Sequence, residues 1–414
     1  MGLPRYMGVR DPRQESAIEN SEFSRSTQLR SVEIFAGVGG LALGVSAAGF
    51  VHDAVVEQDE DACETIRINQ KKGLTFIKDW KLFEGRVEEF DYSSISEGLD
   101  LLCGGPPCQP FSLAGKSLGR TDSRDMFPEA IRAVRELRPR AFLFENVFGL
   151  LRPNHFAYAE YVRLQLSCPQ VVIGDKESLE QHISRLERCF TGSKILDEKY
   201  HVVIHPVNAA DYGVPQRRMR VFIVGIRADL EKEWSFPEKS NSREALLYSK
   251  FVDGSYWDEH CVEKKRRENV SLSLKRKLEG LKDEQIGRRW RTVRDTISDL
   301  CPPTRGKSSD IPNHVFVSGA RSYPGHTGSE LDLPAKTLKA GVHGVPGGEN
   351  MLRYVNGKVR YFSVREQARL QTFPDYFEIH GNWTSTTRQL GNAVPVELAR
   401  VVATSLSTLL SATD

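Results

Sequence analysis

Long apolar runs are missing from this 414-residue chain. Stretches such as Ala141 to Phe144 and Val221 to Ile226 stop far short of the roughly 20 residues a membrane helix needs, so no membrane association is expected. Cysteine is scarce: seven residues, at 63, 103, 108, 168, 189, 261 and 301, odd in number and without a Cys-x-x-Cys pair. That pattern disfavours a disulfide framework and a structural zinc, and no metal is expected. An excess of one charge is also absent, with 57 basic residues against 55 acidic ones. Total charge therefore does not announce a nucleic-acid partner; only its clustering can. Residues 1–30 lack the apolar core of a signal peptide and a Ser or Thr at position 6 for myristoylation, and read as the polar leader of a soluble, cytoplasmic protein. There is no internal repeat.

What is present is an alternation of strands and helices. Ser31 to Phe35 reads as a strand, Ala36-Gly37-Val38-Gly39-Gly40 as a turn, and Leu41 to Ala48 as a helix closed by Gly49. Ala54 to Val56 is a second strand ending in Glu57. Leu99 to Cys103 is a third, running into Gly104-Gly105-Pro106-Pro107, and Ala141 to Phe144 a fourth, ending at Glu145-Asn146. The pattern predicts an α/β doubly wound sheet, whose ligands sit beyond the carboxyl ends of the strands, where each of these polar clusters falls. Residues 150–200 read as a polar helical insertion. Val202 to Val207 and Val221 to Ile226 are two further strands flanking Gln216-Arg217-Arg218-Met219-Arg220. From Arg227 to Asn356 the alternation gives way to charged, glycine- and proline-rich sequence, a candidate second domain. Regular structure returns at Tyr361, and the chain closes on a helix from Pro395 to Leu410, with Pro395 suited to its first turn. The expected division is thus a leader at 1–30, a catalytic domain at 31–226, a smaller domain at 227–356, and a return to the first domain at 357–414.

Three places carry chemistry. The glycine turn after Phe35 would by itself only bend the chain, but Glu57 stands twenty residues after Gly37 at the end of the next strand. A carboxylate there takes ribose hydroxyls in dinucleotide-type folds, so a nucleoside cofactor is expected. The turn is not the six-residue dinucleotide fingerprint, and no pyrophosphate is required. Cys108 sits in Gly-Pro-Pro-Cys-Gln-Pro-Phe-Ser, with three prolines between positions 106 and 110. Prolines fix the dihedrals and supply no amide donors, so the loop presents its thiol rigidly at the sheet edge, as a nucleophile requires. Glu145 either faces the same crevice or caps the helix that follows. Arg218 and Arg220 either point into the fold or lie in solvent.

At these residues the chain resembles the DNA cytosine-5 methyltransferase family, of the bacterial modification type. Its motifs appear in order: Phe35 to Gly40; Gly105-Pro106-Pro107-Cys108-Gln109; Glu145-Asn146-Val147; Gln216 to Arg220; Arg365-Glu366-Gln367-Ala368-Arg369-Leu370-Gln371; and Gly391-Asn392-Ala393-Val394-Pro395. The resemblance implies a Rossmann-like sheet that binds S-adenosylmethionine, with a smaller target-recognition domain. It implies that Cys108 attacks carbon 6 of a flipped cytosine, that Glu145 binds or protonates N3, that Arg218 holds the base oxygen and that Arg220 supports the loop. It assigns Phe35, Gly37, Gly39, Glu57, Pro106, Asn392 and Val394 to the cofactor. One position departs from the family pattern: after Gly85, where an aspartate accepts from the adenine amine, this chain has Arg86, expected to turn to solvent or to Glu84 or Glu88.

The resemblance also makes 227–356 the reader of duplex DNA, with Gln109, Ser112, Thr337, Gly341, Gly344 and Gly347 against the nucleic acid. Between Glu263 and Arg294 there are twelve basic residues and five acidic ones, consistent with phosphate contacts or with a solvated helical face. Trp290, within an arginine group, suits a nucleic-acid contact or equally an anchor in a core. The protein is expected to act as a monomer on double-stranded DNA, alongside an independent cognate restriction endonuclease. A tRNA cytosine-5 methyltransferase is the nearest rival. Those relatives carry Cys-Phe-Thr after the arginine motif, whereas Cys189-Phe190-Thr191 precedes it here. A non-catalytic DNA-binding relative would not need both Cys108 and Glu145, and a nicotinamide oxidoreductase would leave Pro-Pro-Cys-Gln unexplained.

Overall fold

A computed structural model describes residues 28–107, 125–192, 199–281, 287–306, 311–341 and 350–412. Seven strands form the central sheet: β1 (Arg30–Ile34), β2 (Val51–Glu57), β3 (Leu82–Glu84), β4 (Leu101–Gly104), β5 (Ala141–Val147), β6 (Tyr200–Asn208) and β8 (Met219–Arg227), with the two-residue β7 (Gln216–Arg217) outside it. Their order is β3-β2-β1-β4-β5-β8-β6. β1 to β5 run parallel, and β8 lies antiparallel between β5 and β6. The order reverses between β1 and β4, so the ligand crevice of this sheet opens beyond their carboxyl ends.

Strand side chains alternate, and both faces are covered, which is why these strands read as continuous apolar runs. Phe142, Phe144, Val221 and Ile223 enter one core; Ala141, Leu143, Phe222, Val224 and Ile226 enter the other. Helix α3 (Phe127–Leu137) and α4 (Phe156–Ser167) contribute to the first core; α1 (Gly40–Ala47) and the last helix, α12 (Val396–Ser411), build the second. α2 (Glu60–Lys71) begins at Asp59, whose carboxylate accepts from the Ala62 amide. The insertion after β5 is helical as expected: α4 and α5 (Leu179–Thr191), the latter opened by a Ser178/Gln181 capping box. Pro395 is the N-cap of α12 rather than part of its first turn.

The segment after β8 forms a smaller lobe of short elements: β9 (Asn241–Ser242), α6 (Arg243–Phe251), α7 (Ser255–Glu259), α8 (Leu272–Glu279), β10 (Arg288–Arg289), α9 (Val293–Ile297), β11 (Ser329–Glu330), β12 (Ala335–Lys336), β13 (Met351–Arg353) and β14 (Val359–Tyr361). The chain then returns through α10 (Val364–Leu370) and α11 (Trp383–Asn392). Part of the basic run is internal. Arg289 bridges Asp295 and Glu259, Arg294 pairs with Asp332, and Arg267 with Asp258. Burial opposes the Asp295 charge, but His260 and Arg289 hydrogen bonds hold its carboxyl below the usual range. Trp290 is a core anchor, packed against Tyr256 and Trp257 with Nε1 donating to Asp211 at 2.9 Å. These arginines staple a lobe with a small apolar core.

Candidate active site

The turn leaving β1 is strained and open. Phe35, Gly37 and Gly39 all have positive φ, at 57°, 55° and 83°. For Phe35 this is a sparsely populated conformation, held because its half-buried ring packs against the core below. A Cβ at Gly37 would meet no other atom within 4 Å, so the turn borders free space, whereas a Cβ at Gly40 would strike the Val394 carbonyl at 2.3 Å. Glu57 fixes this geometry: its Oε2 accepts from the Gly37 amide at 2.6 Å, and its Oε1 from the Gln58 and Asp59 amides at 2.9 and 2.7 Å. Burial raises its pKa against these bonds. An open glycine turn, a buried carboxylate and a helix N-terminus at a switch point are the donor set a nucleoside cofactor requires.

Beneath the turn lies a polar network that sequence reading did not single out. Glu33, in the middle of β1 and fully buried, accepts from the Cys103 thiol. Its Oε1 has no partner among the described residues. Burial pushes the carboxyl up to about 8, with Glu57 adding repulsion. His52 Nε2 lies 3.2 Å from the Ala42 carbonyl and Nδ1 3.0 Å from Ser31 Oγ. The carbonyl only accepts, so Nε2 carries a proton; burial lowers the pKa of the ring to about 4, which favours its neutral form. A charged residue inside an apolar strand was the visible signal for Glu33.

The second part of the site is at the end of β5. Gly104 pairs with Phe144, which brings Gly105 against Glu145: a Cβ at Gly105 would lie 3.8 Å from Glu145 Oε2. Asn146 Nδ2 donates to the Pro106 carbonyl at 2.9 Å, and the Met126 amide to the Pro107 carbonyl at 2.8 Å, so the start of the proline loop is anchored. Cys108, Gln109 and Ser112 lie outside the described residues, as do Gly344 and Gly347. Glu145 is buried and faces Arg220, whose Nε is 2.7 Å from Oε1. It does not cap the following helix.

The two arginines are held inward, at different places. Arg218 is wholly buried, and both terminal amino groups are engaged: Nη1 by the Leu338 carbonyl at 3.1 Å, Nη2 by the Gly391 and Ala393 carbonyls at 2.7 and 2.9 Å. The guanidinium placed beside the carboxylate at the crevice is that of Arg220. Gln216, also missed as a site residue, accepts from the Leu338 amide and donates to Leu370 and Gln371. Thr337 Oγ1 donates to the Arg217 carbonyl at 2.7 Å, and β12 pairs with β7, so the 335–338 segment is docked on the arginine motif. Gly341 has a φ of 73°. Asn392 is exposed, while Val394 is buried against the start of α1. Arg86 is exposed and pairs with Glu88, one of the two carboxylates expected; Glu84 is taken by Arg67.

A doubly wound α/β enzyme with a nucleoside-cofactor turn and a carboxylate–arginine pair at the neighbouring strand end is the class that fold and site define. Residues 29–166 and 189–408 match the model of the C-5 cytosine-specific DNA methylase family. The chain is 32% identical over 401 residues to a Type II methyltransferase, M.PspPI, of a Psychrobacter species, covering 96% of this chain and 82% of that protein. It is 31% identical over 397 residues to the Type II methyltransferase M.Sau96I of Staphylococcus aureus, covering 96% and 80%. Its fold is similar to the crystal structure of the Schizosaccharomyces pombe Dnmt2 methyltransferase, with a TM-score of 0.52 and 17% identity over 92% of this chain and 98% of that one. The chain belongs to the C-5 cytosine-specific DNA methylases, and its methyl donor is S-adenosylmethionine.

Proposed function

We propose that the protein methylates carbon 5 of one cytosine, flipped out of a short duplex sequence, as a monomer in the cytoplasm and as the modification half of a restriction–modification pair. The observation that carries the reading is the buried Glu145, paired with Arg220 and facing the start of the proline–cysteine loop, 3.8 Å from where a Cβ on Gly105 would stand. Cys108 thiolate adds to carbon 6 of the cytosine. Glu145 supports N3, so the charge of addition is neutralised as the carbon-5 enamine forms. Arg220, rather than Arg218, orients Glu145 and reaches the base oxygen, because both Nη atoms of Arg218 are engaged by carbonyls. When bound, S-adenosylmethionine supplies an electrophilic methyl group, and Glu57 and the Phe35–Gly39 turn hold it at the switch point. Loss of the carbon-5 proton and expulsion of Cys108 complete the turnover. Flipping costs a few kcal/mol of stacking, which contacts made by the smaller lobe offset. The Type II names of the relatives support the restriction–modification context.

Expression in a host without cytosine methylation, followed by bisulfite sequencing, should reveal a single methylated motif. A duplex carrying 5-fluorocytosine at that motif should trap the parent enzyme covalently and leave Cys108→Ser untrapped, since the carbon-5 substituent can no longer leave as a proton. A covalent adduct with Cys108→Ser, or methylation scattered without a motif, would overturn the reading.

A further inference from the structure

Arg218 carries a buried charge that no carboxylate among the described residues pairs, and it holds three backbone carbonyls from two distant segments. Leu338 belongs to the stretch of the smaller lobe docked on β7; Gly391 lies in the last turn of α11, and Ala393 is its C-cap, where the chain turns toward α12. These segments touch each other through backbone: a Cβ at Gly391 would lie 2.3 Å from the Ala340 amide nitrogen. The same turn continues into Val394, whose carbonyl would lie 2.3 Å from a Cβ at Gly40, the first residue of α1 and the one that follows the cofactor turn. Gln371 reinforces the joint by donating to the Leu390 and Ala393 carbonyls, and Gln216 by accepting from the Leu338 amide. The 338–340 stretch, the 391–394 turn and the cofactor turn therefore form one contiguous path joined by close backbone approaches at Gly391 and Gly40.

We propose that this junction couples duplex binding to cofactor binding, with Arg218 as the residue that transmits it. The proposal rests on the reading that the 335–341 segment meets DNA and the 35–40 turn meets the cofactor. A guanidinium is planar and its donors are fixed in one fork, so the three carbonyls are held in register: the 338–340 stretch cannot shift while the 391–394 turn stays. Fixing either end with a ligand orders the turn that the other ligand needs, which makes the two bindings mutually favourable. Arg218 is a positioning residue in this scheme, and touches neither ligand.

The coupling factor is the test. Dissociation constants for S-adenosylhomocysteine are measured by calorimetry on the full chain, alone and with saturating duplex bearing the genomic motif. The duplex is measured with and without S-adenosylhomocysteine. In the parent, each ligand should tighten the other by the same factor, roughly fivefold or more. In Arg218→Lys, whose single Nζ cannot hold three carbonyls at once, that factor should fall toward one, while S-adenosylhomocysteine alone binds within about twofold of the parent. Thr337→Val, which removes only the hydroxyl bond to the Arg217 carbonyl, should lower the factor partially, and it decides the matter if Arg218→Lys does not fold. A parent factor of one, a parental factor in Arg218→Lys, or, where that variant does not fold, a parental factor in Thr337→Val, overturns the proposal. A parent that still methylates its motif in such a case leaves the enzymatic reading intact.

Discussion

Glu33 and His52, on adjacent strands beneath the cofactor turn, pull the stability of the enzyme in opposite directions with pH. Glu33 rises from near 4.5 to about 8 on folding, so between these values the folded chain holds a proton that the unfolded chain has lost. The stability this group contributes is present below about 4.5 and is lost as pH climbs to about 8. His52 falls from near 6.5 to about 4, so its contribution is present above 6.5 and is lost as pH drops toward 4. Each slope is at most about 1.4 kcal/mol per pH unit, the limit for one proton. Glu33→Gln should therefore gain stability relative to the parent as pH rises from 5 to 8, and His52→Asn should gain relative to the parent as pH falls from 6.5 to 4.5. Denaturant midpoints across that range check both; a difference from the parent that does not vary with pH would show that Glu33 is ionised in the fold. Residue identity also announced much of the site. Glu57, Glu145 and the arginines stood out because charge at the end of an apolar strand has few structural uses. What they bond to was not visible: Arg218 precedes β8 and turns to carbonyls of residues 338, 391 and 393, whereas Arg220 lies on β8 opposite Val147 of β5, which brings it to Glu145.

At the scale of elements, the packing of β5 on β8 depends on one vacancy. Gly225 lies opposite Phe142, and a Cβ there would stand 2.2 Å from two atoms of the Phe142 ring. Gly225→Ala overpacks a close-packed core and should destabilise the enzyme by about 2 kcal/mol. Adding Phe142→Leu should recover part of that loss, a non-additivity that urea unfolding of the two single variants and the double variant measures directly. Strict additivity would mean that the strand shifts instead of the ring. The elements themselves were legible in the sequence, since continuous apolar runs bounded by Gly, Pro and carboxylates can only be strands covered on both faces. Their limits were not: β2 begins at Val51, three residues before its apolar run, because backbone pairing with β1 extends through the polar His52 and Asp53.

For the whole molecule, the smaller lobe is the proposed reader, and its exchange is the sharpest test of that. Replacing residues 227–356 with the matching segment of a family member of different specificity should transfer that member's methylation motif, read by bisulfite sequencing; an active chimera that keeps the parental motif would place the reader outside the lobe. The lobe also shows where sequence reasoning stopped. Its basic run suggested a phosphate-binding stripe, but Arg267, Arg289 and Arg294 are paired to Asp258, Asp295 and Asp332 and hold together elements too short to bury much apolar surface. Sequence by itself determined the sheet, the cofactor turn and the catalytic motifs, because these depend on local periodicity and on residue types that chemistry fixes. Only the tertiary structure decided which arginine meets Glu145, which charges are internal, and that residues 218, 338, 391 and 393 share one buried joint. The joint alone spans more than a hundred residues of chain, and all three are set by packing of many elements at once, which no local pattern records.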